Sequence, residues 1–284
     1  MTKDSLLTET KRLLRCYGLK ARKRLGQHFL IDDEALPLIA SAAELKSTDT
    51  VMEVGPGLGV LTGELARQAG KVVAIELDNK LAAILKDTLA PFDNVVIING
   101  NILDIDPASL LEEQKTYKVV ANLPYYITSP VLRHFLEASI KPEIIVVMVQ
   151  KEVAEIIAAE PGARSLLSIS VQFYGKPKIV SYVPAQSFYP APEVDSAILK
   201  IDVYPRPVVT VSDEQSFFKL VRAGFTASRK QIANSLAQGL GLPKTEVLPL
   251  LERAGVSPQR RAGTLTLEEW AQLLQVIQEK EIAC

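Results

Sequence analysis

The chain has 284 residues, of which 48% are hydrophobic and 23% charged; this is ordinary globular usage and excludes disordered, fibrous and low-complexity classes. The formal net charge is −1, so no overall field draws the molecule to a polyanion and only local basic clusters can serve one. The longest apolar run, Ile144 to Val149, is too short to span a bilayer, and the first residues carry acids that a signal peptide would not, so a soluble, cytoplasmic protein is expected.

In chain order, the first feature is a basic cluster at Lys20 to Arg24, containing Arg22, Lys23 and Arg24. Taken singly, such a cluster reads as a solvated surface. From Thr50 onward, short β-branched runs alternate with helical stretches, which predicts a parallel sheet with crossover helices. The strands are expected in "TVMEVG", "KVVAIEL", "NVVIING", "YKVVANL" and "EIIVVMVQ", each apolar enough to be covered on both faces. The segments "LLSISVQFYG" and "PKIVSYVPAQSF" read as an antiparallel hairpin, and "VDSAILKIDVY" as a further strand. A change of character near Pro205 divides an α/β domain, 1–205, from a small all-helical one, 206–284, with helices expected from Asp213 to about Leu240, Thr245 to Ala254 and Thr266 to Glu279. Two further basic clusters, with Arg229 and Lys230 in one and Arg260 and Arg261 in the other, lie in this part. Cys16, Cys284, His28 and His134 are too scattered for a disulfide framework or a metal site.

The first strand runs into "EVGPGLG", with Gly55, Gly57 and Gly59 alternating, a loop that lets backbone approach a ligand ahead of a helix. A nicotinamide-dinucleotide fingerprint would place its third glycine where Val60 stands, which argues against that oxidoreductase class. The acid-x-Gly-x-Gly pattern from Glu53 to Gly57 is instead typical of S-adenosylmethionine enzymes, whose amino-acid moiety calls for an acidic surround. Glu76 ends the second strand where a carboxylate accepts from ribose hydroxyls, and Asn101 follows the third strand where an amide can meet an adenine edge. Asp104 reads as a helix or turn cap.

The segments "RKRLGQHFL", "EVGPGLG", "ANLPYYIT", "FYPAPEVDSA" and "FTASRKQIANSL" together resemble the bacterial small-subunit ribosomal RNA adenine dimethyltransferases, over nearly the whole chain. The wider family includes large-subunit rRNA methyltransferases of the macrolide-resistance type, which are the runner-up; a non-catalytic RNA-binding protein of the same fold is a further alternative. The resemblance implies a Rossmann-like sheet that binds S-adenosylmethionine and methylates two neighbouring adenosines in a hairpin loop near the end of small-subunit rRNA, in the subunit or its precursor. It implies cofactor contacts from His28, Leu30, Gly55, Gly57, Glu76, Asn101 and Asn122. Family members commonly carry Asp at the place of Asn101, a departure that bears on cofactor affinity. A monomer is expected.

The chemistry follows from the nucleophile. An adenine amine shares its lone pair with the ring, so two acceptors on its hydrogens favour a more pyramidal, electron-rich nitrogen and fix its aim. The side-chain oxygen of Asn122 and the carbonyl of Leu123 are expected to supply them, with Pro124 fixing the turn and Tyr125 stacking on the base. Phe188 is expected to form the opposite wall of an aromatic clamp, and Tyr126 to pack in the core. Arg229, Lys230, Arg260 and Arg261 are expected to meet rRNA phosphates, together with the N-terminal cluster.

Overall fold

The computed structural model describes residues 5–22, 25–111 and 116–282; Lys23 and Arg24 of the N-terminal cluster lie outside them. The described chain divides into two compact units, Met1–Ala154 with Pro177–Val203 and Glu155–Lys176 with Tyr204–Cys284. The expected division near Pro205 coincides with the start of the long C-terminal stretch of the second unit, which also includes residues 155–176.

The first unit opens with α1 (Leu6–Cys16), β1 (Phe29–Leu30) and α2 (Ala35–Ala42), followed by β2 (Thr50–Val54), α3 (Val60–Ala66), β3 (Lys71–Glu76), α4 (Asn79–Thr88), β4 (Val95–Asn99), β5 (Lys118–Asn122), α5 (Thr128–Leu136) and β6 (Ile144–Gln150). After α6 (Lys151–Ile157) and α7 (Leu166–Gln172) come β7 (Gly175–Val183), β8 (Phe188–Tyr189) and β9 (Ser196–Val203). The main sheet has seven strands in the order β4-β3-β2-β5-β6-β9-β7 with helices on both sides, the architecture that the alternating sequence pattern predicts. The pairs β3–β4, β2–β3, β2–β5 and β5–β6 are parallel, whereas β9 runs antiparallel to β6. All of β2 is buried, Thr50 and Glu53 included, as a central strand covered on both faces requires. β4 is different: it is the edge strand, and Val96 is 44% exposed, because a terminal strand lacks a neighbour to carry cover over both faces.

One expected strand is a helix. Residues Leu166–Gln172 of the supposed hairpin form α7, because Ser165 and Ser168 cap one another reciprocally and Ile169 and Phe173, four residues apart, are both fully buried. The helical segment α1 goes beyond the sequence expectations; Ser5 caps it, and its Leu14 packs with Phe29, Leu58 and Leu81. This places a helix just ahead of the segment that crosses the carboxyl edge of the sheet.

The second unit continues with α8 (Glu214–Phe225), α9 (Ile232–Leu240), α10 (Lys244–Arg253) and α11 (Leu267–Ile282); Trp270 of α11, the single tryptophan, is fully buried and stacks on Phe225 of α8. The expected continuous helix from Asp213 to Leu240 is broken at residues 226–231. A Cβ on Gly224 would stand 2.3 Å from the Trp270 ring. Gly224→Ala is therefore expected to destabilise the protein by about 1–3 kcal/mol through overpacking, read by denaturant unfolding followed through Trp270 fluorescence.

Candidate functional site

The carboxyl ends of β2, β3 and β5 open into one cleft of about 1140 Å³, counting its open mouth. This is where a doubly wound sheet places its ligands, since the connecting loops diverge at a point of strand-order reversal. Gly55, Gly57 and Gly59 sit at φ of 70°, 62° and 83°, a left-handed region that an L side chain rarely adopts. The Gly55 N–H donates to the Ile75 carbonyl at 2.9 Å, tying the loop to β3, and a Cβ on Gly57 would lie 3.4 Å from the Phe29 ring.

A segment from Leu25 to Leu30 crosses the cleft and lines it. It is held at one end by Asp78, whose carboxylate meets Arg22 at 3.0 Å and accepts from Gln27 Nε2 at 3.3 Å. At the other end β1 pairs antiparallel with β8, Phe29 opposite Tyr189 and Leu30 opposite Phe188. His28 lies between these anchors. Its carbonyl accepts from Asn122 Nδ2 at 3.2 Å, its Nδ1 meets the Pro190 carbonyl at 2.7 Å, and its ring stacks with Tyr125 at a centroid distance of 6.0 Å. Because a carbonyl only accepts, Nδ1 carries the proton in that bond.

Asn122 closes β5, and Leu123, Pro124 and Tyr125 follow it along the cleft wall. With Nδ2 committed to His28, Asn122 presents Oδ1 as its acceptor. The Tyr125 hydroxyl meets Ser196 Oγ at 2.8 Å. Phe188 also lines the cleft, but it is only 3% exposed and belongs to the core cluster with Leu30 and Ile39. The ring stacked on Tyr125 is that of His28, and Phe188, the expected opposite wall of a clamp around a base, lines the same cleft. Tyr126 overturns its core assignment: it is 56% exposed at the rim, because the short helical turn over Tyr125–Ile127 projects successive side chains in different directions.

The acidic groups divide by partner. Glu76, buried at the end of β3, accepts from the Gly57 N–H at 3.1 Å and the Asp78 N–H at 2.8 Å; burial raises its pKa, against the pull of those amides. Glu53 is 1% exposed, faces the same cleft, and its Oε2 has no hydrogen-bond partner. Burial pushes the Glu53 carboxyl up to about 8, Thr62 opposing and Glu76 adding to the shift. Asn101 lines the cleft too, but its side chain caps the following turn, accepting from the Leu103 N–H at 3.2 Å and donating to Asp104 at 3.0 Å. The cap expected of Asp104 is thus made by Asn101. Among the described residues no group of three His, Cys, Asp or Glu is placed to hold a metal ion.

The basic residues separate in the same way. Arg22 is committed to Asp78. Arg260 grips both oxygens of Glu269 and also donates to the carbonyl and hydroxyl of Thr264, so it serves the packing of the second unit and not a phosphate. Arg229, Lys230 and Arg261 are exposed. The sequence holds no signal to separate Arg260 from Arg261, since only the fold brings Glu269 to one of them.

The Glu53 carboxyl supplies a pH test. In the unfolded chain it ionises near the ordinary value of 4.5 and in the folded protein near 8, so between those values the native state holds a proton that the unfolded state has lost. Its contribution is full below 4.5 and is lost as pH rises toward 8. Glu53→Gln is expected to flatten the decline in melting temperature of the unliganded protein over that window, as measured by calorimetry from pH 5 to 8.

Residues 18–279 match the family described as ribosomal RNA adenine dimethylase. The ribosomal RNA small subunit methyltransferase A of Dehalococcoides mccartyi is 54% identical over 275 residues, covering 97% of this chain and 94% of its own. That of Moorella thermoacetica is 46% identical over 287 residues, covering 97% and 99%. Among solved structures, a dimethyladenosine transferase from Plasmodium falciparum has a TM-score of 0.76 at 26% identity, covering 89% of this chain and 98% of that one. The 23S rRNA methyltransferase ErmE has a TM-score of 0.70 at 29% identity, covering 88% and 99%. With a family match over nearly its full length, this chain belongs to the ribosomal RNA adenine dimethylases.

Proposed function

We propose that this chain dimethylates the exocyclic amines of two adjacent adenosines in a hairpin loop near the 3′ end of small-subunit rRNA, as a cytoplasmic monomer acting on the subunit or its precursor. S-adenosylmethionine is the methyl donor, and when bound it supplies an electrophilic methyl group on a sulfonium. The residues of the cleft suit such a molecule. Gly55 and Gly57 leave room for it where side chains would stand, and Glu76 offers the remaining lone pairs of its carboxylate to ribose hydroxyls. Glu53 brings an unpartnered carboxyl oxygen to the same wall; burial keeps it protonated without a ligand, and a cationic ligand beside it would favour its charged form. Leu30 and His28 lie in the crossing segment above, and Asn101 at the far end, where its amide would have to exchange Asp104 for an adenine edge.

The observation that carries the mechanism is the Asn122–His28 hydrogen bond. By taking up the donor half of the carboxamide, it leaves Oδ1 to accept from the target amine; the Leu123 carbonyl is the second acceptor. Those two bonds hold the amine with its lone pair directed at the methyl group. Tyr125 presents its ring to the base, a stack worth roughly 1–3 kcal/mol, and Phe188 supports the wall from the core. Pro124, with no N–H, places no competing donor beside these acceptors. The chain need not hold a strong base, because a methylated amine is cationic and gives up its proton to water. Identities of 54% and 46% to small-subunit enzymes, against 29% to a large-subunit one, favour the small-subunit target over the macrolide-resistance reading.

Asn122→Ala is expected to lower the methylation rate of unmodified small subunits by about 10²–10³-fold with RNA binding retained, measured by labelled methyl transfer and filter binding; unchanged turnover would refute the mechanism. Mapping the methylated adenosines in the same reaction tests the target. Replacing Arg229, Lys230 and Arg261 together by alanine is expected to weaken RNA binding and to reduce its logarithmic salt dependence by about 2–3. Arg260→Ala is expected to act differently, lowering the melting temperature through loss of its Glu269 and Thr264 bonds.

A further inference from the structure

The Tyr125 side chain carries a group that stacking does not require. A phenylalanine would present the same ring face to a base, yet here the ring ends in a hydroxyl that meets Ser196 Oγ at 2.8 Å, across 71 residues of sequence. Ser196 is fully buried. Its position follows from topology. β9 runs antiparallel to β6, with Ser196 opposite Gln150, so the first residue of β9 lies at the same edge of the sheet as the last residues of β5 and β6. A strand that entered the sheet parallel would have brought its other end there.

The surroundings hold Ser196 in place. The preceding residue, Asp195, accepts from the Lys151 N–H through its carbonyl and from the Ala185 N–H through its side chain, both at 3.0 Å. Tyr125 itself stands on a short turn just beyond β5 and is only half-buried, with the His28 ring on one side and the Ser196 hydroxyl at its tip. Burial raises the Tyr125 pKa, which keeps the phenol protonated and able to make a neutral hydroxyl–hydroxyl bond.

We propose that Ser196 is a positioning residue for methyl transfer: its buried hydroxyl anchors the Tyr125 phenol and keeps the ring face turned toward the target adenine. This rests on the reading of Tyr125 as the stacking face. The tether acts on the base and not on the methyl donor, so it governs turnover on RNA while leaving affinity for S-adenosylmethionine alone. It also gives a physical reason for tyrosine over phenylalanine at this position, since one bond to a rigid strand restricts two side-chain torsions.

The test is a double-mutant cycle on unmodified small ribosomal subunits with labelled S-adenosylmethionine. Ser196→Ala is expected to lower kcat about ten- to a hundredfold with the KM for S-adenosylmethionine unchanged, and Tyr125→Phe to do the same from the other end of the bond. Ser196→Thr, which keeps the hydroxyl, is expected to recover activity to within about threefold of wild type. Combining Ser196→Ala with Tyr125→Phe is expected to cost no more than either alone, because both remove one interaction. Multiplying losses in the double variant, a wild-type rate in Ser196→Ala, or a shifted KM for S-adenosylmethionine would each overturn the tether. If Ser196→Ala does not fold, Tyr125→Phe alone reads the same bond, and a wild-type rate there would overturn it. Failure of the wild-type protein itself to methylate the subunits would instead overturn the proposed function and the tether together.

Discussion

The Asn122 side chain can point its carboxamide either way, and only one way leaves an acceptor for an incoming amine. The hydrogen bond from Nδ2 to the His28 carbonyl makes that choice. It depends on a backbone carbonyl contributed by a segment ninety-four residues earlier in the chain, and that segment is secured at both ends. Arg22 and Gln27 bind the Asp78 carboxylate at one end, and the β1–β8 pairing secures the other. The catalytic chemistry proposed for this cleft therefore starts from polar satisfaction: a buried or half-buried donor takes the acceptor that is there, and its partner atom is left for the substrate.

The same network reaches the acidic side of the cleft. Asp78 caps α4 through the Lys80 N–H, sends its own N–H to Glu76, and receives Arg22. Glu76 in turn accepts from Gly57 in the left-handed loop. One buried pair of carboxylates thus ties together the crossing segment, the corner between β3 and α4, and the glycine turn. Glu53 stands apart with an oxygen that has no hydrogen-bond partner among the described residues, and burial opposes its charge.

The basic residues show what a sequence cluster conceals. "QRR" reads as one patch, yet Arg260 is drawn into a carboxylate fork with Glu269 while Arg261 stays exposed. Arg22 likewise serves Asp78. In each case a neighbour distant in sequence decides whether a guanidinium is available, and local composition carries no record of it. Tyr126 makes the same point for an aromatic group: expected in the core, it stands at the rim. The segment at Leu166–Gln172 adds a local case, where β-branched residues suggested a strand and reciprocal serine caps made a helix.

What the sequence determined by itself was the periodic and the short-range. Alternating β-branched and amphipathic runs dictate a largely parallel sheet with crossovers, since such strands have no face to give to water. The glycine spacing marks a loop at the end of β2 where backbone can approach a ligand, and the order of motifs identifies the family. Only the tertiary structure decided which polar atoms remain for a ligand. That outcome turns on partners brought together from far along the chain: His28 with Asn122, Arg22 with Asp78 and Ser196 with Tyr125. A hydrogen bond is directional, so which atoms of a side chain stay available depends on which partners the fold sets beside it, and that is a property of topology and not of residue type.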